Sequence, residues 1–308
     1  MEVAVLAQKV NRLGLWLFAA VYFGVTACGL TLAVRASQPR YHYEVRQDLS
    51  VHFDNADKVI EKVRLRLKER AEVIRITYSA QNSSLDDTDK IVRELMRFAC
   101  AETDRPDEGD YIGCQLGGYN SAFTEEKADG GHRNVIEITP IYFTDAAQES
   151  ETDSAVKAVL ESLGLSDDAG DEEKVRAVYD WVCDNVQYDH IHRRNDSYRL
   201  RSAAYGALVY RRATCMGYAV TVYRLLRELG VGCRVITGDA AGEYHAWNIV
   251  CIDGEWYNAD ATWDSMGGGR ENYLKSDSDF GEHVREEKFD TAEFRAMYPM
   301  AVTSLKGK

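Results

Sequence analysis

Cys215, His245 and Asp260 follow one another in a single stretch, in the order nucleophile, base, orienter. A thiol attacks a carbonyl only after losing its proton, and both a helix N-terminus and a nearby imidazolium stabilise the thiolate. Cys215 lies in Arg212-Ala213-Thr214-Cys215-Met216-Gly217-Tyr218-Ala219-Val220, ahead of Val222, Leu225, Leu226 and Leu229 at helical spacing. Thr214 stands where a helix cap belongs, and Gly217 admits a close neighbour at the first turn. The Cys215 N–H is the first candidate donor to an oxyanion; Tyr188 and Tyr205 are candidates for the second. His245, in Glu243-Tyr244-His245-Ala246-Trp247-Asn248, can take the thiol proton and return it to a leaving group. Asp260 can fix the tautomer of that ring.

Each residue also has a plainer role. A helical cysteine usually packs, a histidine beside Ala-Trp is often structural, and Asp260 could merely end a strand. Those roles leave unexplained the shared order, the glycine after the cysteine and the tryptophans that follow His245 and Asp260. A zinc set of His245, Asp260, Asp264 and a cysteine is a weaker alternative, because no C-x₂-C or H-E-x-x-H spacing accompanies it.

The same segments resemble the transglutaminase-like superfamily, whose core is related to papain-type cysteine proteases. The residues that carry the likeness are Cys215-Met216-Gly217-Tyr218-Ala219, Gly242-Glu243-Tyr244-His245-Ala246-Trp247-Asn248 and Asp260-Ala261-Thr262-Trp263-Asp264, with Tyr273-Leu274-Lys275-Ser276-Asp277 beyond them. The likeness covers roughly residues 150–299 and suggests a bacterial, membrane-anchored type. It implies a Cys215–His245–Asp260 triad acting on amide bonds of protein or peptide, by hydrolysis or transamidation through a thioester. The family also holds inactive members, so a binding or scaffold module at the cell envelope is the competing expectation. Ala261 stands where proline is frequent, and Met216 where a polar residue is common. No acidic calcium-loop pattern is present, and no metal or other cofactor is expected.

These residues need an α+β frame, with a helix bearing Cys215 packed on an antiparallel sheet bearing His245 and Asp260. Strands are expected at Cys233–Thr237, Ala246–Ile252 and Glu255–Ala259, with a further one at Asn272–Leu274. A strand rises about 3.3 Å per residue, so a hairpin turning at Asp253-Gly254 can bring residues 245 and 260 together. Helices are expected over Asp153–Leu163, Glu172–Tyr188, Ser202–Tyr210 and Phe289–Tyr298. Upstream, strands at Tyr41–Phe53, Val73–Tyr78, Tyr111–Phe123 and Arg133–Phe143 and helices at Asn55–Arg70 and Asp87–Ala101 make a small α+β domain. No nucleotide loop, metal spacing or nucleophile motif marks it. The expected domains are 1–40, 41–150 and 151–308.

The 308-residue chain has a formal net charge of −13, which disfavours nucleic acid as a partner. Leu13–Val34 is uncharged and long enough to cross a bilayer as one helix, with Trp16 at its start as an interfacial anchor. A signal peptide cut after Ala36 is the alternative; the length of the apolar run favours an uncleaved anchor. Lys9 and Arg12 before the run, and Arg35, Arg40 and Arg46 after it, do not set the side. The short leading tail suits a catalytic domain outside the cell. There are 7 cysteines, an odd number. In a hairpin turning near Gly242, Cys233 and Cys251 would face each other and could bridge, or else pack as small apolar residues.

Overall fold

The computed structural model describes residues 42–46, 56–80 and 88–305. The chain divides into two compact units. The first comprises the described residues up to Thr103 together with Leu116–Ile141; the second comprises Asp104–Gln115 and Tyr142 onward. The segment Leu13–Val34 lies outside the described residues, among which no helix is long and apolar enough to cross a membrane.

In the first unit, β1 (His42–Arg46), β2 (Ile74–Ala80), β3 (Leu116–Ala128) and β4 (Gly131–Tyr142) form a sheet in the order β1-β2-β4-β3. Ile74 and Ile76 of β2 stand opposite Ile138 and Ile136 of β4, and all four are buried. Two helices, α1 (Ala56–Lys68) and α2 (Thr88–Ala99), bury Val59, Val63 and Leu67, and Ile91, Val92 and Leu95. These are the i, i+4 rows expected of amphipathic helices.

The second unit starts with a short helix, α3 (Asp110–Gly113), where a strand over Tyr111–Phe123 was expected. The aromatic and β-branched residues Tyr111 and Ile112 are buried on that helix, and the strand begins only at Leu116. Then come α4 (Ala146–Ser162), α5 (Asp171–Asn185), β5 (Gln187–Tyr188), α6 (Ala204–Leu208), β6 (Arg212–Ala213) and α7 (Cys215–Glu228). An antiparallel meander follows, β7 (Cys233–Ala240), β8 (Glu243–Ile252) and β9 (Glu255–Ala259), and then α8 (Ala261–Gly267). The last elements are β10 (His283–Arg285) and α9 (Ala292–Met297). The sheet order is β10-β7-β8-β9. Alternate residues of β8 divide between two cores: Ala246, Val250 and Ile252 join α7, whereas Trp247 and Ile249 join Phe280 and Phe294.

Two further expectations are corrected. Asn272–Leu274 forms no strand. Leu274 has φ 50°, Lys275 makes only an isolated bridge to Asn258, and β10 takes the sheet edge next to β7 instead. Cys233 pairs with Val250, one position short of Cys251, so the two cysteines point to opposite faces and Cys251 remains a free thiol. The division near residue 150 falls inside α4, a continuous helix capped by Asp145 and Gln148.

Candidate active site

Cys215 is the first residue of α7, and its sulfur sits at the end of the helix where backbone N–H groups are unsatisfied. Thr214 occupies the cap position but does not cap. Its hydroxyl donates to the Arg201 carbonyl at 3.1 Å and lies 3.3 Å from Ser202 Oγ, so it does not consume the first-turn amides. Gly217 is required by close approach. A Cβ there would lie 2.6 Å from Ala213 Cβ and 2.9 Å from the Arg201 carbonyl oxygen. The neighbour admitted at the first turn is therefore the backbone of residues 201–203, which braces the thiol-bearing end of the helix.

His245 projects from β8 beside the first residue after β9. Its Nε2 lies 2.8 Å from Asp260 Oδ2. That contact leaves Nδ1 for the Cys215 thiol, which acts on the ring as both hydrogen-bond and charge partner. Burial opposes charge on this ring, but the Asp260 and Cys215 hydrogen bonds outweigh it and raise the histidine to about 10. Burial likewise opposes charge on Asp260, whose side chain is 0% exposed. Hydrogen bonds from His245 and then His283 more than offset it and hold the carboxyl below its usual range. Both shifts favour an imidazolium–carboxylate pair.

Asp260 is also the N-cap of α8, with Oδ1 accepting from Thr262 N at 2.9 Å and Trp263 N at 3.2 Å. One carboxylate therefore ends β9, starts α8 and holds His245. Asp264, one turn further on, takes no part in that cluster. It accepts from the Tyr179 hydroxyl at 2.6 Å and from Asn272 N at 2.9 Å, fastening α8 to α5 and to the following loop. A ligand set containing Asp264 is thus excluded. Among the described residues, the possible metal-ligand group is His245, Asp260 and His283.

The two tyrosines considered as oxyanion donors separate. The Tyr205 hydroxyl donates to Glu151 Oε2 at 2.8 Å, so it is committed to α4. Tyr188 is opposite Ala213 in the β5–β6 pair, two residues before Cys215. Burial raises its hydroxyl first, and the charge of Cys215 second, which puts it within electrostatic reach of the sulfur. Trp247 is buried, with its indole N–H 3.3 Å from Asn258 Oδ1, and Tyr218 is buried in the α7 core. Trp263 leans over both histidines, 5.6 Å from His245 and 4.4 Å from His283 by ring centroids. His283 was not found from the sequence. The one signal pointing to it is Gly238, an isolated glycine inside a strand, which marks close backbone approach: a Cβ there would lie 2.0 Å from the Val284 carbonyl oxygen of β10.

Residues 157–261 match the model of the transglutaminase-like superfamily. The chain is 30% identical over 142 residues to the human kyphoscoliosis peptidase and 29% identical over 132 residues to the mouse protein. Those alignments take in 42% and 39% of this chain but only 21% and 20% of the relatives, so the chain spans about a fifth of their length. A solved structure described as a TGase aligns with 49% of this chain and 45% of its own, at 20% identity and a TM-score of 0.33. Cys215, His245 and Asp260 all fall inside the matched residues, whereas His283 lies beyond them, and the chain thus carries over residues 157–261 a core domain of the transglutaminase-like superfamily.

Proposed function

We propose that the protein is a cysteine-dependent amide-bond enzyme acting on protein or peptide substrates. The observation that carries this is His245 standing between the Cys215 thiol and a buried, charge-holding Asp260. Such a relay is costly to bury without use, which weighs against an inactive scaffold. In the acylation step the Cys215 thiolate attacks the substrate carbonyl carbon, with the oxyanion facing the Cys215 N–H and the Tyr188 hydroxyl. The C–N bond breaks as His245 gives its Nδ1 proton to the leaving amine, and a thioester remains. Water then attacks the thioester carbon, gives its proton to His245, and releases the acid and the thiolate. An amine in place of water would give transamidation. Hydrolysis is favoured, and the peptidase named among the relatives supports it.

The decisive experiment is intact-mass analysis of the full chain with a thiol-reactive amide analogue. One adduct is expected in the wild type and none in Cys215→Ala; absence of the wild-type adduct would sink the enzyme reading. We further propose that Leu13–Val34 tethers the protein with residues 41–308 outside the cell. Protease added to intact cells should then digest the catalytic unit, and protection until lysis would place the substrate in the cytoplasm instead.

A further inference from the structure

Asp260 Oδ2 serves two imidazoles: His245 Nε2 at 2.8 Å and, from the far edge of the sheet, His283 Nε2 at 3.1 Å. We propose that His283 is a positioning residue, whose ring N–H holds the Asp260 carboxylate in the orientation that serves His245. This rests on the reading of Cys215 as nucleophile.

The donors around Asp260 make the case. An ionised carboxylate only accepts and has about four lone-pair sites. Here those sites meet the N–H groups of Thr262 and Trp263 on Oδ1 and the two imidazoles on Oδ2. Because Oδ2 cannot donate, His283 must carry its proton on Nε2. Two of the four donors are backbone and belong to α8. The third, His245, is the group that exchanges protons during turnover. His283 is the one side-chain donor that takes no part in the chemistry, so it can hold the carboxylate through the cycle.

The placement of His283 is built into the fold. Its side chain is 1% exposed. Phe280 stacks on the ring at 3.7 Å and 15°, and the Trp247 ring meets it at 5.0 Å and 71°. β10 pairs with β7, placing His283 opposite Ala240, and Gly238 leaves the space that lets that strand approach. The titratable groups facing the cluster are His245 from β8, Asp264 from α8, Tyr179 from α5 and, through His245, Cys215 from α7. Asp264 and Tyr179 bond each other. The residues facing His283 from β7 are Gly238 and Ala240, which carry no charge.

Two other roles must be separated from this one. The ring could be mere core filling, which phenylalanine would satisfy. His245, Asp260 and His283 could instead hold a metal, their ligand atoms lying within 4.8 Å of one another. A metal would displace both Nε2 protons and both hydrogen bonds to Oδ2.

The test needs no substrate. Iodoacetamide labelling of the full chain is followed against pH, with Cys215 and Cys251 quantified separately by peptide mass spectrometry. Wild-type Cys215 is expected to label faster than Cys251, whose thiol burial pushes up. Without the His283 donor, Asp260 takes up a proton at a less acidic pH. The imidazolium then loses its anion, and the reactive pair fails sooner on the acid side. In His283→Phe, Cys215 labelling should therefore slow by about tenfold relative to the wild type at the acid end of the range. Its melting midpoint should fall as well, because a buried carboxylate loses a donor, and His283→Gln, which keeps an N–H donor, should restore most of the profile. An unchanged Cys215 profile in the Phe variant overturns the proposal, as does stoichiometric metal in the wild type that the variant loses. If the Phe variant does not fold, histidine-labelled NMR of the wild type decides. A slowly exchanging His283 Nε2 proton supports the proposal, and an unprotonated Nε2 overturns it. Wild-type Cys215 labelling no faster than Cys251 would fail the nucleophile assignment itself, and His283's role with it.

Discussion

At the scale of single residues, the charge on Asp260 can be separated from its service as a helix cap. Asparagine caps about as well as aspartate, so Asp260→Asn should keep α8 while removing the anion beside His245. A hydrogen bond to a charged group is worth about 1.5–3 kcal/mol, so Cys215 labelling at neutral pH should fall by about tenfold to a hundredfold. The alkaline limit of the reactive pair should drop from near the His245 value of about 10 toward that of an ordinary histidine. Labelling at pH 7 checks the first and histidine NMR from pH 6 to 10 the second; an unchanged His245 titration would show that Asp260 does not govern the ring. Stability carries the same signature. The raised His245 contributes stability that is fully present below its unfolded value, about 6.5, and is lost as pH rises through about 10. The lowered Asp260 contributes stability above its unfolded value, lost as pH falls through its folded one. That Cys215, His245 and Asp260 come together was legible because each sits in a short motif whose neighbours are the residues that place it. His283 was not. It lies on a three-residue strand with no alternation, and only its pairing with β7 brings it back to Asp260. The hydroxyl of Tyr205 was misjudged for the same reason, since its partner Glu151 belongs to a distant helix.

At the scale of elements, the reactive thiol depends on how α7 begins. Gly217→Ala would press a methyl against Ala213 Cβ at 2.6 Å and the Arg201 carbonyl at 2.9 Å. Overpacking of this kind costs about 1–3 kcal/mol, and the strain falls on the turn that carries Cys215. The expected outcome is a lower urea midpoint together with slower Cys215 labelling; a methyl accepted without either change would mean the 201–203 segment does not brace the helix. Trp263→Phe should behave differently. The ring packs over His245 and His283, so the substitution should lower the melting temperature more than it slows labelling. A large labelling loss at unchanged melting would reverse that assignment. Helices and strands with a clean period were legible to within a few residues, as with Glu255–Ala259, which is β9 residue for residue. Tyr111–Phe123 was not, because its first residues are buried for a tertiary reason: Tyr111 joins the core around α7 from a short helix rather than alternating along a strand.

At the scale of the whole molecule, the chain leaves the second unit and returns to it. Residues 116–141 belong to the first unit, yet 104–115 belong with the second. Asp110 accepts from Arg234 Nε at 2.7 Å and from Val235 N at 2.8 Å, Tyr111 joins the main core, and Gln115 Oε1 accepts from Ala204 N at 3.1 Å. A division by composition could not show this, because the acidic stretch near 150 looks like a linker while the joining segment is twelve residues lying between strands of another sheet. A fragment of residues 142–308 should therefore fail to melt cooperatively. Losing Tyr111 is comparable to a large core truncation, about 3–5 kcal/mol, and taking Asp110 away from the partly buried Arg234 adds a few more. Together these approach the about 5–15 kcal/mol that holds a typical domain. The Phe143 N–H donates to the Gln115 carbonyl at 3.1 Å, so the two ends of the excursion already lie side by side. Joining 104–115 to 142–308 through a short glycine linker should then restore a cooperative transition and fast Cys215 labelling. If the joined chain stays unfolded while the full chain melts cooperatively, the second unit also needs the β3–β4 hairpin; if 142–308 alone melts cooperatively, the segment around Asp110 is dispensable.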